Sequence, residues 1–75
     1  MTNKSAQQNL LNEHELSSVN ALLSYIAHNQ KTNEAIVREI LTTRFGIGDI
    51  EELQKKDYED AIKFLIDVQI ATILN

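Results

Sequence analysis

Phe45-Gly46-Ile47-Gly48-Asp49-Ile50-Glu51-Glu52-Leu53 is the stretch that decides the fold of this 75-residue chain. It holds both glycines of the protein, and helix-spaced apolar residues run into it on one side and out of it on the other. Gly46 reads as the stop of the preceding helix, because glycine takes the left-handed conformation of a helix end without steric cost. Phe45, Ile47, Ile50 and Leu53 make the connector apolar enough to pack. The spacing predicts an extended piece and a turn, then a short helical turn over residues 50–53. No second strand is evident for Ile47 or Ile50 to pair with.

Upstream, Ile36, Val37, Ile40, Leu41 and Phe45 form one apolar stripe. That helix is expected to start at Thr32 or Asn33, both competent caps, with Arg44 in its last turn, where the dipole favours a cation. A helix before it is expected to start near Asn12, with Glu15 three residues on and able to bond back to the cap. Its stripe is Leu16, Val19, Leu23 and Ile26, flanked by Leu22 and Tyr25. It should fade at His28-Asn29-Gln30. Residues 1–11 are polar until Leu10 and Leu11 and are expected to be a flexible N-terminal segment. Residues 12–75 are expected to be a single helical domain.

Downstream, a third helix is expected from residues 54–57 towards the end of the chain. Tyr58, Ala61, Ile62 and Leu65 form its first stripe. Ile66, Ile70, Ile73 and Leu74 form a second, roughly 100° around the helix. The fold class is therefore all-α: a small three-helix domain with a short ordered connector between helices 2 and 3. The expected core is Leu16, Val19, Leu23, Ile26, Ile36, Ile40, Leu41, Phe45, Ile50, Leu53, Ala61, Ile62 and Leu65, with Phe45 central.

Composition narrows the function classes. Cysteine is absent, so disulfides and thiolate metal sites are excluded. The net charge of −4 gives no general attraction to nucleic acid or anionic lipid. Six of the seven cations nevertheless lie between residues 31 and 63. No apolar run approaches the roughly 20 residues needed to span a bilayer, and the first residues lack the apolar core of a secretory signal. A cytoplasmic location with no membrane contact is expected.

No pattern demands catalysis. His14 and His28 would stand about 21 Å apart on one helix, too far to share a metal. No serine sits in a nucleophile elbow. Asp49, Glu51 and Glu52 lack the spacing of a calcium loop and suit helix starts better. Gly46-Ile47-Gly48 lacks the frame of a phosphate loop. A helix-turn-helix is disfavoured by a long apolar joint and by Asp57, Glu59 and Asp60 at the start of the would-be recognition helix. No enzyme activity, metal or cofactor is expected.

From Ile36 to Leu65 the text resembles the C-terminal domain of phage antirepressor-type proteins. In that module a helix ends in Arg-Phe-Gly-Val, a short segment ends in leucine, and a Lys/Asp-rich helix start leads into an Ala-Ile-x-Phe-Leu helix. The matching positions are Arg44, Phe45, Gly46, Ile47, Ile50, Leu53, Tyr58, Ala61, Ile62 and Leu65. The resemblance covers about residues 36–65 and carries mostly packing positions. It implies phage or mobile-element biology and regulatory protein contacts, and it brings no catalytic residue.

The expected function is a non-enzymatic protein–protein interaction or regulatory accessory module. The expected partner is a protein, first of all a second copy, with Ile66, Ile70, Ile73 and Leu74 as the homodimer surface. The alternative is a nucleic-acid-binding accessory protein using Lys31, Arg38, Arg44, Lys55 and Lys56.

Overall fold

The computed structural model describes residues 9–70. Helix α1 spans Glu13–Asn29. Asn12 caps it in the reciprocal manner its sequence implies: its side chain accepts the Glu15 N–H at 2.8 Å, and its own N–H donates to the Glu15 carboxylate at 2.8 Å. Helix α2 spans Glu34–Phe45 and is capped by Asn33, whose side chain accepts the Ile36 N–H at 2.9 Å. Helix α3 spans Tyr58–Asp67.

Helices α1 and α2 end in the same way. At the end of α2, Gly46 takes φ 66°, its N–H donates to Thr43 O at 3.2 Å, and the Ile47 N–H donates to Thr42 O at 3.0 Å. At the end of α1, Lys31 takes φ 57°, its N–H donates to His28 O at 3.4 Å, and the Thr32 N–H donates to Ala27 O at 2.9 Å. Both are Schellman closures that satisfy the last carbonyls of a helix. One is built on glycine and the other on lysine.

The connector is ordered and lies in the core. Asp49 caps a 3₁₀ turn over Ile50–Glu52, its side chain accepting the Ile50 N–H at 2.7 Å. A second 3₁₀ turn, Lys55–Asp57, leads into α3. Ile50 and Leu53 are fully buried beside Leu23, Leu41 and Leu65. Helix α1 packs on both α2 and α3 around this centre. The domain is thus a small all-α unit of three described α-helices with an ordered connector between the second and third, as the glycine-bounded stretch implied.

Four expectations need correction. The fold begins before Asn12: Leu11 is buried, its N–H donates to Leu53 O at 3.3 Å, and the Lys55 N–H donates to Asn9 O at 2.7 Å. Residues 9–11 therefore run antiparallel to the extended backbone between the two 3₁₀ turns, with a bridge at Leu10 and Gln54. Backbone groups that a 3₁₀ turn leaves open are satisfied by this pairing. Residues 1–8 of the expected flexible segment lie outside the described residues.

Second, α3 does not continue to the end of the chain. It stops at Asp67, and Val68 is extended at φ −67°, ψ 139°. Val68 and Ile70 are buried while Gln69 is exposed, and helical backbone resumes at Ile70 after the break at Val68 and Gln69. The Gln30 side chain fixes this turn from the α1–α2 corner, donating to Val68 O at 2.8 Å and accepting the Ile70 N–H at 2.7 Å. Third, Phe45 is half-buried beside the core rather than central, and Leu16, Ile36, Ile40 and Ile62 are likewise half-buried. Fourth, Leu11, Ala27, Val37, Val68 and Ile70 belong to the core although the expected set omits them.

Candidate functional site

The two flanks of α1 are finished differently. Towards α2 the seam closes with polar contacts. Ser24 donates to the Glu34 carboxylate. The Arg38 guanidinium lies 3.7 Å from Glu34 and reaches the Asn20 side-chain oxygen at 3.4 Å.

Towards α3 there is an open apolar groove of about 630 Å³. Helix α1 contributes Ser18, Ala21, Leu22 and Tyr25 to it, and α3 contributes Tyr58, Glu59, Ile62 and Ile66. Those positions follow from helix geometry: 18, 21, 22 and 25 share one side of α1, and 59, 62 and 66 share one side of α3. The floor is half-buried Leu22 and Ile62. Tyr25 and Ile66 are the large exposed apolar side chains of the described residues, at 62% and 66% of their surface.

The two helices run in the same direction. At their starts Lys55 bonds Glu15 at 3.0 Å, and at their far ends Gln30 holds residues 68–70. Ser18 and Glu59 therefore mark one end of the groove, and Tyr25 and Ile66 the other. Beyond the first end, the Asn12 N–H and then the Lys55 ammonium hold the Glu15 carboxyl below its ordinary value.

The four residues expected to form one self-association face do not stay together. Ile66 is exposed on the groove. Ile70 is buried in the chain's own core, 2% exposed, because the chain leaves the helix before it. Ile73 and Leu74 lie outside the described residues. A continuous stripe from Ile66 to Ile70 needs α3 to run unbroken through residue 70, and it ends at Asp67.

The five cations of the nucleic-acid alternative are also spread out. Lys55 is paired with Glu15 at the start of α1, with Lys56 exposed beside it. Arg38 is paired with Glu34. Arg44 lies over the rings of Phe45 and Phe64, at 5.4 and 5.8 Å from their centroids. Lys31 follows the far end of α1, roughly 20 Å along that helix from Glu15. Among the described residues no group of three His, Asp or Glu side chains could hold a metal ion. No described helix is long and apolar enough to cross a membrane.

The sequence spacing puts Leu22 and Tyr25 as flanks of the α1 stripe and Tyr58 and Ile62 on the first stripe of the third helix, and does not join them. The available signal was width. Adding Leu22 and Tyr25 to the α1 stripe makes its apolar face wider than one neighbouring helix covers. Comparison of the chain with protein-family models, curated proteins and solved structures gave no match.

Proposed function

We propose that this domain is a non-enzymatic interaction module that docks another protein in the α1–α3 groove. The observation that carries the reading is the pair Tyr25 and Ile66, both more than half exposed, facing one another across an apolar floor. Contiguous apolar surface of this kind marks interaction sites on small soluble domains. Covering the exposed parts of two such side chains is worth about 1–2 kcal/mol each. The likeness of residues 36–65 to a phage regulatory module agrees with a role by protein contact in phage or mobile-element biology.

The test uses tagged protein isolated from its source cells. Ile66→Gln and Tyr25→Ser should lose a co-isolated partner while keeping the parent's melting temperature. Glu39→Gln, on the exposed face of α2, should retain it. A partner set that is identical for all four proteins would remove the groove from the account.

A further inference from the structure

We propose that the occupant of the α1–α3 groove is a basic amphipathic helix, which sets a Lys or Arg against Glu59 and lays apolar side chains on Ile62 and Ile66. This rests on the docking role given to the groove above and adds the chemistry of the partner.

Length comes first. Glu59, Ile62 and Ile66 follow one another at steps of 3 and 4 and span about 10 Å along α3. A helix lying along the groove covers that distance in two turns. It meets all three with side chains at positions i, i+3 or i+4, and i+7.

Charge comes second. From Leu16 to Gln30 the chain has no Asp, Glu, Lys or Arg, so the α1 wall adds no formal charge. Glu59 is the one charged residue lining the groove, it is exposed, and no ion pair engages it among the described residues. Lys63, four residues after Glu59 and three before Ile66, neighbours both on the surface of α3 but neither lines the groove nor pairs with Glu59 among the described residues. The groove therefore offers an anion at one end and apolar surface at the other, on a chain whose net charge is −4. A cation at i with apolar groups at i+3 or i+4 and i+7 complements both ends. A second copy brings another Glu59 and another −4, and its α1 wall supplies no cation. Complementary charge of this kind selects partners and register.

The probe is a displayed library of helical peptides randomised at i, i+3, i+4 and i+7, selected on the purified 75-residue protein. Lys or Arg should be enriched at i and apolar residues at i+7. Selection on Glu59→Lys should switch position i to Asp or Glu. Titrated against the winning peptide, Glu59→Gln should weaken binding about threefold and Glu59→Lys about tenfold or more. Ile66→Gln should weaken it about tenfold through lost apolar contact. Winners that show no preference at i and ignore Glu59→Lys, yet depend on Ile66, overturn the basic partner and leave the docking groove standing. Winners indifferent to both positions, or a library with no winner, remove the docking groove itself. Sedimentation equilibrium at about 100 μM, above the dissociation constants of modest interfaces, should show a monomer. A dimer that Ile66→Gln dissociates makes the occupant a second copy and overturns the proposal.

Discussion

Helix α1 has one flank that the chain completes and one that it leaves open. On the α2 side, Ser24, Asn20, Glu34 and Arg38 bond across the seam and turn polar atoms to solvent. On the α3 side, Leu22, Tyr25, Ile62 and Ile66 meet over a groove with apolar tips in water. Both flanks rest on the same core residues, Val19 and Leu23. Stability and exposed apolar surface are thereby separated on one helix: the core under both flanks holds the fold, and the open flank is where another molecule can gain apolar contact.

That separation can be tested by substitutions of decreasing expected effect. Leu23→Ala removes a fully buried side chain from beneath both flanks. It should destabilise by about 2–5 kcal/mol, read as a lowered urea midpoint. Phe45→Ala should fall below that range, since Phe45 is only half-buried. An equal or larger effect would return Phe45 to the centre of the core.

Lys31→Gly should stabilise by about 1 kcal/mol, because the left-handed conformation costs a side-chain-bearing residue about that much more than glycine. Gly46→Ala, at the matching position of α2, should do the reverse. Opposite signs at two helix ends with the same hydrogen bonds would establish backbone strain as the cause. A loss of stability in Lys31→Gly would contradict it.

Glu34→Ala removes the contacts that close the polar flank and an acid from the first turn of α2. It should cost about 0.5–1 kcal/mol. A cost as large as that of Leu23→Ala would mean that the polar seam, not the shared core, holds α1 in place.

The smallest effect is a pH dependence at the groove's edge. Glu15 is held below its ordinary value, so its contribution to stability is present at neutral pH. It is lost as pH falls below the ordinary glutamate range of about 4.3 and through the lowered folded value. Comparison of the parent with Glu15→Gln should show the difference in melting temperature shrinking through that acid range. A difference that stays constant from neutral to acid pH would contradict the Asn12 and Lys55 contacts.

The legible parts of the fold were those fixed by local chemistry. Asn12 with Glu15, Asn33 before its stripe, and Gly46 at a helix end each name their own position. The connector was legible because Ile50 and Leu53 follow a glycine stop at a spacing that turns them inward. The end of α3 was not. Ile66, Ile70, Ile73 and Leu74 have perfect helical spacing, and only the long-range clamp from Gln30 shows that the chain leaves the helix at Asp67. Local period cannot report a bond between residues about forty positions apart. The pairing of residues 9–11 with 53–55 was hidden for the same reason. Lys31 was hidden for another: its residue type carries no signal for the left-handed conformation it adopts. The groove was half legible: its α1 side shows as a surplus of apolar width, while on its α3 side the spacing assigns Ile62 to the core and Ile66 to a separate self-association stripe.

The most direct test of the open flank places a photo-crosslinking amino acid at one position of either side, at 66 in the groove or at 39 on the exposed face of α2, in protein expressed in its source cells. The account predicts a discrete crosslinked species at position 66 that is lost when Tyr25→Ser is added, and none at position 39. Equal crosslinking at both positions, or none at 66, would contradict a docking role for the α1–α3 groove.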